Sequence, residues 1–198
     1  MPQLRMTLTR AGALGLVALL VTACPGERAA PLAPNTEPAP DPAAAQMAIA
    51  CLRLVPMPQN VTVSATITAD GGSLEIKEAG LKLDVPPGAV VEPTTITVTA
   101  LAGRAVAYEF GPSGSRFLVP LAVQQSLRGL DWYDVPRPAR YEAAYLADMS
   151  QLDATRGEAV VNEFLPLTWD YLGSKMRFNV SHFSGYMIST GRVDQGGR

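Results

Sequence analysis

From Asn60 onward, apolar and polar residues alternate with a period of two. Val61, Val63, Ala65 and Ile67 interleave with Thr62, Ser64, Thr66 and Thr68, and Asp70-Gly71-Gly72 then supplies a turn. Leu74 and Ile76 resume the alternation, as do Leu81, Leu83 and Val85 after Gly80. Ile96, Val98 and Ala100 against Thr95, Thr97 and Thr99 form the sharpest half-buried pattern of the chain. Val106, Tyr108 and Phe110 follow, then Phe117, Val119, Leu121 and Val123. Further strands fit Tyr141–Ala147, Ala159–Phe164, Leu165–Trp169, Lys175–Ser181 and Ser184–Ser189. Successive side chains of a strand face opposite ways, so this period predicts strands with one buried face. Short strands of this kind, separated by Pro86-Pro87-Gly88, Gly103, Gly111-Pro112-Ser113-Gly114 and Gly173-Ser174, predict an all-β antiparallel sandwich. Its expected span is residues 47–190, with a polar, glycine-rich tail at 191–198. Ala43–Leu54 fits either a short helix or a first strand.

The residues before this domain follow a different pattern. Arg5 and Arg10 precede an uncharged apolar run from Ala11 to Ala23, and Val21-Thr22-Ala23-Cys24 closes it. A positive start, a short apolar stretch and small residues before the cut form a secretory signal. The 13 residues of the run are too few for a helix to cross a hydrocarbon core ~30 Å thick. A cysteine directly after Thr-Ala is the layout of a bacterial lipobox, which implies lipidation of Cys24 after cleavage of residues 1–23. Residues 24–46 then read as the lipidated cysteine and a Pro/Ala-rich linker, too poor in large apolar side chains to order itself. The expected address is extracytoplasmic and lipid-anchored, in the cell membrane or the outer membrane. Pro25 is not the aspartate that favours inner-membrane retention in diderm bacteria, which leaves the outer membrane open.

Charge and cysteine content narrow the partners. Of the 16 basic residues two lie in the signal, and none of the 18 acidic ones do, so cleavage moves the formal charge from −2 to −4. With no basic run in the sequence, nucleic acid is not an expected partner. Lipidation of Cys24 leaves Cys51 without an intramolecular partner, and Cys51 reads as a buried small apolar residue. The Asn60-Val61-Thr62 and Asn179-Val180-Ser181 sequons are accidental in a bacterial chain.

Several of these segments carry a resemblance. Gly71-Gly72-Ser73-Leu74-Glu75-Ile76 followed by Gly80-Leu81-Lys82-Leu83-Asp84-Val85-Pro86-Pro87-Gly88-Ala89-Val90 resembles the opening of a ZU-five domain. That module is shared by zonula occludens proteins, ankyrins and uncoordinated-type netrin receptors, and it also occurs in bacterial surface proteins. Phe110-Gly111-Pro112-Ser113-Gly114 with Phe117 and Pro120 is similar to its middle, and His182-Phe183-Ser184-Gly185-Tyr186 to its closing strands. The likeness covers about residues 68–190; Leu127–Arg140 and Asp153–Glu163 align with nothing in it. It implies a β-sandwich, in agreement with the periodicity.

Candidate chemistry is sparse. His182 is the only histidine, which excludes a multi-histidine metal site; one His with one free Cys is too few for zinc. No metal or other cofactor is expected. A Gly-x-Ser-x-Gly elbow is absent, and Gly111–Gly114 lacks the Lys-Ser/Thr of a phosphate loop. Asp131/Asp134 and Asp148/Asp153 read as solvated loop carboxylates. In some relatives, the resemblance implies, His-Phe-Ser marks self-cleavage between Phe and Ser. Carried to this chain, Ser184 would attack the Phe183 carbonyl while His182 accepts its proton, an N–O acyl shift completed by water. The competing reading places His182 at the end of the apolar face of Met176, Phe178 and Val180, with the tripeptide as the closing turn of the fold. On that strand Phe183 points away from this face unless a bulge intervenes. Trp132 and Tyr133, held between prolines and charges, fit either a binding surface or a cap on the sandwich.

The expectation is therefore a lipid-anchored lipoprotein displaying a non-catalytic interaction or structural module. Its partners are the membrane, through Cys24, and a protein or envelope component. A self-processing module cutting at Phe183-Ser184 is the alternative.

Overall fold

The structure, a computed structural model, describes residues 46–131, 141–170 and 172–192. In chain order the strands are β1 (Gln46–Ala50), β2 (Leu52–Met57), β3 (Val61–Ile67), β4 (Gly72–Ile76), β5 (Leu81–Val85), β6 (Thr94–Ala100), β7 (Gly103–Ala105) and β8 (Ala107–Gly111). They continue with β9 (Arg116–Ser126), β10 (Glu142–Leu146), β11 (Leu152–Asp153), β12 (Glu158–Val161), β13 (Glu163–Pro166), β14 (Thr168–Asp170), β15 (Lys175–His182) and β16 (Gly185–Arg192). Residues around Ala43–Leu54 thus form strands from Gln46 onward, so tertiary pairing overrides the weak helical preference of alanine. Ala159–Phe164, expected as one strand, is divided at Asn162 between β12 and β13. There the Asn162 side chain accepts from the Ala147 N–H.

Every strand pairing is antiparallel. The larger sheet runs β11-β12-β1-β16-β8-β6-β3, with β10 along β16 and β13 beyond it; the smaller runs β14-β15-β9-β5-β4. One core lies between them. Ile96, Val98, Phe110 and Tyr186 from the larger sheet pack with Leu83, Leu121, Val123 and Phe178 from the smaller. Burying apolar surface at roughly 25 cal/mol per Å2 is what joins two such faces. A second, alanine-rich cluster of Ala48, Ala50, Ala107, Ala144, Met187 and neighbours fills the other side of the larger sheet. The architecture is an all-β antiparallel sandwich.

The alternation read from Val61–Thr68 and Thr95–Ala100 becomes the β3–β6 ladder. Val63 stands opposite Val98 and Ala65 opposite Ile96, while Thr62–Thr99 and Thr66–Thr95 hydroxyl pairs line the solvent face at 2.8 and 3.2 Å. The turn from β3 to β4 carries the chain to the other sheet, and Gly71 sits there at φ +81°. A Cβ at this position would run into the Val85 carbonyl oxygen, so only glycine lets the turn lie against β5.

β16 is the most connected strand. Its first residues pair with β8 on one side and β10 on the other, and its last pair with β1. It runs through Gly191 and Arg192, two residues into the segment read as tail.

Candidate functional site

The link between β15 and β16 is only Phe183-Ser184, and it takes the chain from the smaller sheet to the larger. His182, Phe183 and Ser184 therefore sit together where the two sheets meet. The ladder with β9 slips between Val180, opposite Leu121, and His182, opposite Arg116, so the extra residues lie on β9 while β15 keeps its alternation. Phe183, the first residue past β15, joins the core cluster that holds Phe178 and Val180, and His182 stands at the rim with 25% of its side chain exposed.

Phe183 is held on every side. Its ring stacks on Phe110 at 5.5 Å and meets Phe117 edge-on at 4.5 Å. Its N–H donates to the Ser115 carbonyl, and its carbonyl accepts from the Gly114 N–H, each at 2.9 Å. The Ser184 carbonyl accepts from the Phe110 N–H at 2.9 Å. Gly111–Ser115 thus folds over the bend as a clasp, stiffened by Ser115 Oγ donating to the Pro112 carbonyl at 2.7 Å.

The two polar side chains of the bend have separate commitments. Ser184, 7% exposed, donates its hydroxyl to the Leu146 and Ala147 carbonyls at 3.0 and 3.1 Å, at the end of β10. Tyr186 gives its one hydroxyl proton to the His182 carbonyl at 2.7 Å and meets His182 Nδ1 at 3.1 Å. With that proton spent, the Tyr186 oxygen faces Nδ1 as an acceptor, which favours the tautomer protonated at Nδ1. Nε2 lies 4.0 Å from Glu163 Oε2, and the Tyr145 ring stands edge-on to the imidazole at 4.5 Å. Burial, with Tyr145 and Glu163 nearby, pushes the Tyr186 phenol up, so it stays protonated in this role.

Residues 63–108 match the family model of the ZU5 domain, the ZU-five module of the sequence resemblance. Over this stretch the chain is similar to a ZU5 domain. No curated protein matches the chain. The matched stretch of the ZU5 domain runs from β3 to Tyr108 in β8, and the clasp and the bend lie C-terminal to it. The likeness to the module therefore rests on residues 63–108, and the β15–β16 link stands on its own geometry.

Cys24, Trp132, Tyr133 and Asp134 lie outside the described residues. Asp148 instead caps a short 3-10 turn by accepting from the Ser150 N–H, which holds its carboxyl below the usual range. Asp153 accepts from the Thr155 and Arg156 N–H groups. Among the described residues no group of three or more His, Cys, Asp or Glu side chains is placed to hold a metal ion. Cys51 is fully buried, and burial with the charge of Asp131 pushes its thiol up to about 12.

Sequence reasoning missed a buried polar network. Arg53 is 4% exposed: one of its amino groups donates to the Ala105 carbonyl and the other lies 3.5 Å from the Tyr108 hydroxyl. That hydroxyl donates to Gln125 Oε1, and Gln125 Nε2 donates to the Ala79 and Ser126 carbonyls at 3.0 Å. The network ties β2, β8 and β9 through the interior. Arg53 between Leu52 and Leu54 gave no warning, because alternation alone assigns the two leucines inward.

Proposed function

We propose that this chain is a membrane-anchored extracytoplasmic lipoprotein that displays its ZU5 sandwich as a non-catalytic interaction module. Signal, lipobox cysteine and Pro/Ala-rich linker support the anchoring. The hydroxyl of Ser184 supports the absence of catalysis, and it is the observation that carries this part. A serine nucleophile hands its proton to a base as it attacks. This one donates to two main-chain carbonyls of the larger sheet, where it fastens the bend to β10.

One contact favours the self-processing alternative. The Gly114 N–H, 2.9 Å from the Phe183 oxygen, stands where an oxyanion would form on attack at that carbonyl. In that reaction a bond forms between Ser184 Oγ and the Phe183 carbonyl carbon, and His182 takes the hydroxyl proton. The C–N bond then breaks as the Ser184 nitrogen is protonated, and water hydrolyses the ester.

The test is the intact mass, under denaturing conditions, of the full chain produced in a bacterium, beside Ser184→Ala and Cys24→Ser. The expected result is an acylated chain beginning at Cys24, with the Phe183-Ser184 bond whole in wild type and Ser184→Ala alike, and no acyl mass in Cys24→Ser. A wild-type fragment ending at Phe183, absent from Ser184→Ala, establishes the alternative.

A further inference from the structure

β15 ends at the bend, and it begins beside a feature of opposite character. At Lys175 the outer face of the smaller sheet and the adjoining turns enclose an open cleft of about 400 Å3. Lys77, Lys82, Arg128 and Lys175 line it, and Glu75 is its only acidic lining residue. Strand register builds this group. Lys82 stands opposite Glu75 on one side and Gln124 on the other, and Lys175 opposite Ser126. Gly80, at φ +67° after the Lys77–Ala79 turn, lets that turn approach β9; a Cβ there would press on Ser126 Cβ at 2.9 Å.

The charges in the cleft do not cancel. Asp84 pairs with Lys82 at 2.5 Å and also accepts from Gln124. Among the described residues, no carboxylate forms an ion pair with Lys77, Arg128 or Lys175. Like charges gathered in one concavity repel, and an entering anion relieves all of them at once. This concentration of positive charge sits on a chain whose formal charge is −2, so it is local and not a general property of the surface.

We infer that this cleft binds a phosphate-bearing ligand of small-molecule or headgroup size. Its volume falls within the ~300–1,000 Å3 of ligand sites. Three of the four cations are lysines, whose compact charges on flexible stems gather around a multiply charged anion; the flat fork that suits carboxylates is present once, in Arg128. The inference goes beyond the proposed function and is independent of it, since the cleft lies at the far end of β15 from Ser184 and needs no lipid on Cys24.

The probe is inorganic triphosphate, titrated calorimetrically into the full chain in detergent. Saturable 1:1 binding is expected, weakening as salt rises. Lys77→Gln with Lys175→Gln should weaken it about tenfold, Glu75→Gln should tighten it, and Arg156→Gln, remote and paired with Asp153, should leave it unchanged. A parallel flotation of the Cys24→Ser chain with phosphatidylglycerol or phosphatidylcholine vesicles identifies the source of the phosphate. Loss of a phosphatidylglycerol preference in the double lysine variant points to a lipid headgroup, and triphosphate binding without that preference to a free ligand. The inference is overturned if neither probe binds, or if binding survives the double substitution in a chain that melts like wild type.

Discussion

The two ends of β15 differ in almost every physical respect. At the His182 end each polar group has a partner inside the protein, two aromatic rings pack on Phe183, and a clasp covers the bend. At the Lys175 end four cations line an open cleft, and apart from buried Leu81 its lining residues are exposed or half-buried. The end that carries a suggestive tripeptide is the closed one; the end without any motif is open and charged. A residue pattern marks where chemistry is imaginable, whereas unsatisfied charge at a concave surface marks where a ligand has something to add.

Removing the ring of Phe183 should break this contrast most severely. Phe183→Ala leaves a cavity beside Phe110 and Phe117 and should cost about 3–5 kcal/mol in urea unfolding. A loss under 1 kcal/mol would mean that the clasp, not the ring, holds the bend. Tyr108→Phe comes next. It removes the hydroxyl that Gln125 and Arg53 share, and an unsatisfied buried partner costs about 1–3 kcal/mol. Ser184→Ala should cost about 1 kcal/mol through its two carbonyl contacts, with wild type and variant both uncut at residue 183. Full wild-type stability in that variant would remove the serine from its structural role.

Alkali offers a smaller and differently directed perturbation. The folded pKa of Cys51 is raised from 9.0 to about 12 and that of Tyr108 from 10.0 to about 12, both chiefly by burial. The unfolded chain therefore releases these protons first. Their contribution is whole below pH 9, and it declines as pH rises from 9 towards 12. Melting temperature should fall between pH 8 and pH 9.5 by the equivalent of about 1 kcal/mol or less, and Cys51→Ala should flatten part of that slope. Least affected of all is the stability of the lysine variants at the open end, where a change beyond about 0.5 kcal/mol would contradict the absence of internal partners.

Much of the sandwich was legible because its strands bury one face. Val61–Ile67 and Thr94–Ala100 alternate cleanly, and they pair rung for rung. Gly71 and Gly80 both occupy left-handed turns, as their places between apolar runs suggested. Three things were not legible. β2 turns Arg53 inward and leaves Leu54 59% exposed, because a hydrogen-bonded cation over Tyr108 replaces the usual apolar contact. The register slip between Val180 and His182 arises on β9, a partner far away in sequence. The clasp joins Gly111–Ser115 to Phe183, two segments that the resemblance quoted separately and only the fold makes neighbours. The basic cleft was hidden for the same reason, since Lys77, Lys82, Arg128 and Lys175 are nearly a hundred residues apart from first to last.

The position of β16 also sets a timetable. Without Gly185–Arg192 the larger sheet falls into separate pieces, β1 with β11 and β12, β10 with β13, and β8 with β6 and β3. The piece containing β8 is synthesised some eighty residues earlier. At ~5–20 residues per second it waits on the order of several seconds for the strand that completes it. The larger sheet of a nascent chain therefore stays in pieces until Gly185–Arg192 has been made.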